Sequence, residues 1–324
     1  MAQLKKISDN IQKISLDNPA TPDNHLHWLN INNAGKKEIE YLRKQYSFNL
    51  HHIQYALASH NSQRPIVEYS NNNCIFLILH FPVFKDNRLT SVEIDFFVGH
   101  GFLITVHNNV SILNDLFKTV KNDTINATSA YESGSSSILL YEILDKLISA
   151  CFPILTQQDK KITDIEELIF ADHGDKKTIS HILALRRDLL NFRKIMQNHK
   201  NILKTLMEMK SSVIPQSDIR KSYALLVEHT KKIWEILENQ KEMIEIFYDT
   251  KESLIGYKLS DIMKTLTIFS VIVFPLTLFA AIFSMDAHGG MPFLSSPHGF
   301  WIVIGIMGAI CLGMLAFFAR KKWL

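Results

Sequence analysis

The sequence predicts an α/β N-terminal cytosolic domain followed by long helices and a C-terminal two-helix transmembrane hairpin. Three observations carry this. Strand-like runs rich in Ile, Val and Phe fall between Leu26 and His107, the chain beyond Ser136 reads almost wholly as helix, and two uncharged apolar runs close it at Leu266–Met285 and Phe300–Ala319. Each run meets the roughly 20 residues that a helix needs to cross hydrocarbon at about 1.5 Å per residue. Two such runs ending a chain argue against the alternative, a buried core helix of a soluble protein.

The 324 residues carry 35 Lys and Arg against 32 Asp and Glu, for a formal net charge of +3. Acids and bases are interspersed and no aromatic–basic motif occurs, which excludes a nucleic-acid surface as the expected function. The mean hydropathy near zero averages two unlike parts, since charges fill the first 264 residues and almost vanish from the rest. Cys74, Cys151 and Cys311 lie far apart without CxxC spacing, so neither a disulfide framework nor a zinc site is expected and a reducing cytosol fits. Met1–Lys6 and the residues after it show no apolar signal core, so the N-terminal part is expected to stay in the cytosol.

In chain order, strands are predicted at His27–Ile31, Ile66–Tyr69, Cys74–Phe84, Ser91–Val98 and Phe102–His107, broken by Asn-Asn, Lys-Asp-Asn and Gly. Helices are predicted between them at Lys36–Tyr46 and Leu50–His60, which makes the domain α/β or α+β. Gly134 among serines marks a boundary, giving an expected division into 1–130, 131–264 and 265–324. Helices follow at Ile138–Ala171, at Lys177–Met209 and from about Ile219. Between Ser222 and Met285 the first proline is Pro275 and the one glycine is Gly256, which allows a single helix of about 60 residues, near 90 Å. So long a helix needs neighbours to support it, copies of itself being the simplest.

Lys251, Lys258 and Lys264 precede the first span and Arg320, Lys321 and Lys322 follow the second, whereas the loop from Asp286 to Gly299 has no Lys or Arg. The positive-inside rule therefore places both termini in the cytosol, with Trp301 and Trp323 near the interfaces. Ser260, Thr267, Ser270, Thr277 and Ser284 recur on one face of the first span, together with Met263, Phe274 and Ala281. Hydroxyls in line with bulky apolar residues suit a water-filled pore with hydrophobic constrictions. The alternative is that each hydroxyl bonds only the backbone carbonyl four residues back. Pro275 removes one helical hydrogen bond and predicts a bend. On the second span, Gly305, Ala309 and Gly313 form a small-residue ridge suited to close helix packing. Two spans cannot enclose a pore, so conduction needs several subunits around an axis.

The run Ile262–Phe279 (IMKTLTIFSVIVFPLTLF), Met291-Pro292 in the loop and the terminal Arg320–Leu324 (RKKWL) resemble the signature of the CorA-type magnesium and cobalt transporter family. Gln63–Glu68 (QRPIVE) and Phe102–His107 (FLITVH) resemble its cytosolic domain, so the resemblance runs from about residue 26 to 324. It implies a funnel-shaped homopentamer in the inner membrane that passes a largely hydrated Mg²⁺ or Co²⁺. The family's Gly-Met-Asn tripeptide falls on Ser284-Met285-Asp286, which the resemblance makes the selectivity filter. Met263, Leu266 and Phe274 become the hydrophobic gate, Thr277 a polar ring above it, and Ser260, Thr267, Ser270 and Ala281 further pore lining.

Asp286 in place of Asn changes the electrostatics of that ring. A divalent ion about 4 Å from one carboxylate is attracted by roughly 8 kcal/mol at an effective dielectric constant near 20. Carboxylates brought together also repel, which raises their pKa values. The expected entrance is cation-selective, stickier and pH-dependent. A carboxylate that merely ends the helix is the alternative, and it would oppose the helix dipole.

Asp249 falls where the family's long helix carries a regulatory metal ligand, with an ordinary solvated helix charge as the alternative. The acidic pair expected in the helix before the Arg-Pro motif is instead Tyr55-Ala56. His288 and His298 in the loop offer imidazoles to a softer metal such as Zn²⁺, with plain solvation as the alternative. No phosphate-binding glycine loop, HExxH or nucleophile elbow occurs in the cytosolic part, so the chain is expected not to be an enzyme. Two rivals to a Mg²⁺ channel remain open: the same architecture carrying Zn²⁺ or another transition metal, and a non-conducting membrane-tethered metal sensor or scaffold.

Overall fold

The computed structural model describes residues 8–16, 25–56, 64–70, 74–85, 88–125, 135–171, 176–209, 211–214, 219–285, 298–321 and 323. Six strands are present among them: β1 (Ile11–Leu16), β2 (Leu26–Asn32), β3 (Ile66–Ser70), β4 (Cys74–Lys85), β5 (Arg88–Gly99) and β6 (Phe102–His107). Nine helices accompany them: α1 (Lys36–Tyr46), α2 (Leu50–Tyr55), α3 (Ser111–Ile125), α4 (Ser136–Ser149), α5 (Cys151–Ala171), α6 (Lys176–Met196), α7 (His199–Glu208), α8 (Ile219–Phe283) and α9 (Gly299–Arg320). The chain divides into two compact units, one of residues 1–168 and 177–247 and the other of 169–176 and 248–324.

In the first unit the sheet has the order β1-β2-β6-β5-β4-β3. β2 and β6 pair in parallel and every other neighbouring pair is antiparallel. The alternating side chains feed two cores. Leu29, Ile31, Phe76, Ile78, Phe97 and Ile104 pack with Leu42, Phe48, Ile53 and Ala56 from the α1–α2 segment. Phe48 stacks on Phe97 at 4.7 Å between ring centres, and Phe76 meets Phe97 at the same distance. From the opposite face, Trp28 meets Phe117 of α3 edge-on at 4.9 Å.

Buried polar groups on that second face are joined to one another. Trp28 Nε1 donates to Thr105 Oγ1 at 3.2 Å, and Thr105 Oγ1 donates to Asn30 Oδ1 at 2.8 Å. The Val110 N–H donates to His107 Nδ1 at 3.1 Å, so the ring proton sits on Nε2 and is donated to Asn30 Oδ1 at 2.9 Å. β1 and α3 were not anticipated. Ile11, Ile14 and Leu16 point inward, but six residues with two lysines nearby gave too little alternation to stand out.

The helical part corrects two expectations. Ile138–Ala171 is two helices joined at Ala150, because Pro153 has no N–H for the Ser149 carbonyl and so tolerates only the first turn of a new helix. Lys177–Met209 is also two helices, α6 and α7, parted at Gln197-Asn198. The expected Leu50–His60 helix closes at Tyr55, with its remainder from residue 57 outside the described residues.

The first half of α8 is clamped to the other helices of this unit at several heights. Tyr223 Oη donates to the Ser137 carbonyl at 2.9 Å, and Gln240 Nε2 donates to the Leu155 carbonyl at 3.1 Å and to Asp159 Oδ1 at 2.7 Å. Arg193 of α6 pairs with Glu238 at 2.6 Å and lies over the Trp234 ring at 5.1 Å. The near-constant sequence offset along α4 and α5 shows that both run parallel to α8.

Two histidines of this unit are held neutral by burial. His199, wholly buried and edge-on to Phe81 at 5.2 Å, has its pKa lowered to about 4, by burial first and by His80 second. Burial likewise lowers His107 to about 4. Asp95 moves the other way, raised by burial and by Glu93. An unfolded chain takes up a proton on each histidine near its ordinary pKa of about 6.5 while the folded rings do not. The stability due to each histidine is therefore present above about pH 6.5 and is lost as pH falls towards 4. Asp95 opposes this, its contribution being lost as pH rises through its elevated pKa. We predict that the unfolding free energy of the purified chain falls between pH 6.5 and 4, by an amount on the order of 3 kcal/mol per histidine. His199→Gln should flatten about half of that slope.

Candidate functional site

The second unit holds the apolar end of α8 and all of α9, both long and apolar enough to cross a membrane. From Lys264 onward the residues of α8 that are at least partly covered are Lys264, Ile268, Ser270, Ile272, Leu276, Phe279 and Phe283; all but Ser270 repeat every three or four positions and so share one face. On α9 the covered residues are Gly299, Val303, Ile306, Met307, Ile310, Cys311, Met314 and Phe318, again one face. Each helix thus carries one partly covered stripe along its length.

The opposite face of α8 is bare. Ser260, Met263, Leu266, Thr267, Phe274, Thr277 and Ala281 are exposed and Ser270 is half-buried, with Leu266 at 59% and Phe274 at 72% exposure. These are the residues that periodicity places on a single face, and in a single chain all of them but Ser270 are exposed. Large apolar side chains left open on a helix of this length mark a surface that needs lipid, another copy or a lumen against it. Ser284 and Met285 follow the last helical turn; the Ser284 N–H still reaches the Ala280 carbonyl at 3.0 Å, and Met285 is 65% exposed.

The hydroxyls on this face are bonded backwards. Thr267 Oγ1 donates to the Met263 carbonyl at 2.8 Å, Ser270 Oγ to the Leu266 carbonyl at 2.9 Å and Thr277 Oγ1 to the Val273 carbonyl at 2.8 Å. Of the two alternatives, the geometry shows the bond to the carbonyl four residues back for all three hydroxyls. Pro275 lies inside the helix and leaves the Val271 carbonyl without its helical donor. On α9, Gly305, Ala309 and Gly313 lie on the exposed side, away from the covered stripe. A methyl group added at Gly305 or Gly313 would touch nothing.

Asp249 is an exposed residue of α8. At the position of the expected acidic pair, Ala56 is part of the hydrophobic core and Tyr55 packs against it, so no carboxylate is presented there. Among the described residues no group of three or more His, Cys, Asp or Glu side chains is arranged to hold a metal ion. Asp286 and His288 lie outside the described residues, while His298 is exposed at the start of α9. Sequence periodicity found the bare face; it missed the covered stripe, whose members are as apolar as their neighbours.

This division of faces is measurable by thiol labelling of the membrane-embedded chain with Cys311→Ala. Thr267→Cys and Phe274→Cys should react with a small hydrophilic thiol reagent at least about tenfold faster than Ile268→Cys and Phe279→Cys. Cys74 and Cys151 stay silent, both buried, with burial pushing their thiols up to about 12.

Comparison with known proteins places this architecture. The family described as CorA-like Mg²⁺ transporter protein matches residues 23–321. The cobalt/magnesium transport protein CorA of Thermotoga maritima is 24% identical over 299 residues, covering 92% of this chain and 83% of that protein. The protein of the same name from Methanocaldococcus jannaschii is 23% identical over 311 residues, 95% of each chain. The complete structure of the Methanocaldococcus jannaschii CorA magnesium transporter superposes with a TM-score of 0.84 over 95% of both chains at 22% identity, and the full-length CmaX protein with 0.72 over 93% of this chain and 90% of that one at 18% identity. With an α/β soluble part, one long helix and two C-terminal apolar helices, the chain belongs to the CorA-like Mg²⁺ transporter protein family, whose members are membrane transporters of divalent cations and not enzymes.

Proposed function

We propose that this chain conducts hydrated divalent cations, Mg²⁺ foremost and Co²⁺ with it, through a pore that α8 forms with the same helix of other copies. The observation that carries this reading is the exposed face of α8, where hydroxyls and bulky apolar residues alternate opposite the partly covered stripe. One chain offers two spans, so the lumen needs a ring of copies. In this reading the ring has five copies, as the family resemblance implies, with the long helices arranged as a funnel and both termini in the cytosol. The division into 1–130, 131–264 and 265–324 is then sheet domain, helical stalk and membrane hairpin.

In this reading Met263, Leu266 and Phe274 narrow the lumen, and their exposed apolar bulk excludes water when the ring tightens. Ser284, Met285 and Asp286 form the outer filter. The carboxylate attracts a divalent ion strongly while leaving its tightly held waters in place, as suits Mg²⁺, which dehydrates reluctantly. With Tyr55 and Ala56 in place of acidic residues, inhibition by cytosolic metal has lost one partner, and Asp249 alone is a weak ligand.

The test is metal uptake into liposomes holding the purified chain, comparing Mg²⁺, Co²⁺ and Zn²⁺. Mg²⁺ uptake is expected, and Asp286→Ala should lower it by about tenfold or more, the loss of a single ordinary charge interaction. Zn²⁺ uptake exceeding Mg²⁺ would reassign the cargo, and no flux of any metal would leave a metal sensor or scaffold. A second expectation concerns pH. Crowded Asp286 carboxylates should hold protons at low pH, so flux should rise between pH 5 and 8, whereas Asp286→Asn should give a flat profile.

A further inference from the structure

A hydroxyl has one proton and two lone pairs. On the bare face of α8 the protons of Thr267, Ser270 and Thr277 are all given to carbonyls of the same helix, at 2.8, 2.9 and 2.8 Å. What each oxygen turns outward is therefore lone pairs alone. The accepting carbonyls of Met263, Leu266 and Val273 belong to the helical backbone and add no donor, and Met263, Leu266, Phe274 and Ala281 between them are apolar. Thr265, also exposed but about 160° round the helix from Thr267, is bonded to the Asp261 carbonyl in the same way at 2.9 Å. The backward bond is thus a property of the helix; what distinguishes the three hydroxyls is the face they occupy.

Hydrated ions of opposite sign present opposite surfaces. A cation draws water oxygens inward, so its shell shows hydrogens; an anion draws hydrogens inward, so its shell shows lone pairs. A small divalent cation holds its shell firmly and carries that pattern with it. A lining of acceptors satisfies outward hydrogens and leaves outward lone pairs without partners, at the cost that unpaired polar groups carry in a confined space. We propose that Thr267, Ser270 and Thr277, with their protons committed to the backbone, form an acceptor-only lining that selects hydrated cations over hydrated anions along the membrane segment. The inference rests on the pore reading above and adds to it the atoms that discriminate, separately from the carboxylate at the outer end.

The test uses the full chain in planar bilayers and liposomes, reading Mg²⁺ flux and the Mg²⁺-to-chloride permeability ratio from reversal potentials. Replacing the acceptors by near-isosteric apolar groups, in a Thr267→Val, Ser270→Ala, Thr277→Val variant, should lower Mg²⁺ flux about tenfold, the effect of one hydrogen bond of ordinary net strength in the passage step. The permeability ratio should fall with it. Thr277→Ser, which keeps the oxygen, should match the parent. Single Thr277→Val and Ser270→Ala chains give the same reading in smaller steps if the triple variant does not assemble. Unchanged flux and ratio in the apolar variants, with the parent conducting, overturns this inference alone. A loss in Thr277→Ser as large as in Thr277→Val overturns it too, by showing that shape and not the acceptor matters. A parent that passes no ion overturns the pore reading and this inference together.

Discussion

A peptide group carried into hydrocarbon must find its hydrogen-bond partner inside the protein, and that constraint shapes the second unit. α8 and α9 meet it by being unbroken helices through their apolar stretches. Hydroxyls in such a helix come under the same rule, and Thr265, Thr267, Ser270 and Thr277 all turn back onto their own backbone. Pro275 is the exception, and the Val271 carbonyl it frees lies beside the face that apolar neighbours leave uncovered. With polarity settled within each helix, the remaining difference between the faces of α8 is how far each is covered. One side carries the partly covered stripe, and the other stands exposed in the single chain.

The first unit answers to a different constraint, since a mixed sheet must be covered on both sides. Its two cores are unlike. The α1–α2 side is aromatic and dry around Phe48, Phe76 and Phe97, whereas the side facing α3 and α4 carries the joined polar groups of Trp28, Asn30, Thr105 and His107. Each member of that network has its partner, so it specifies the β2–β6 register at little cost. Pro82 is placed with similar economy. It falls where β4 has run past the end of β3, so that one edge of the strand has no neighbour to lose.

Much of this was legible beforehand because the strongest signals are long. Five strands and α1 are read from β-branched runs and turn residues, and α8 from the lack of breakers between Ser222 and Pro275. The bare face of α8 follows from hydroxyls spaced at sevens and threes. The joints at Ala150 and at Gln197-Asn198 were less legible, because a proline in a first turn and a two-residue break leave the apolar period almost in phase. β1 and α3 are short and mixed, held by their partners more than by their own propensity. The loss of the acidic pair at Tyr55-Ala56 was visible in the letters; that Ala56 serves the core instead needed the packing.

The parallel run of α4 and α5 beside α8 bears on how the protein is made. Ser137 waits for Tyr223, and Leu155 and Asp159 wait for Gln240, so the helices of the first unit lack their central partner until late in synthesis. Domains acquire structure from the N-terminus as the ribosome adds about 5–20 residues per second. Gln240 is added only seconds before the apolar stretch that opens at Leu266. The soluble part therefore becomes able to close just as the first membrane segment follows it, and a nascent chain stalled before Gln240 would still offer its α4 and α5 faces to chaperones.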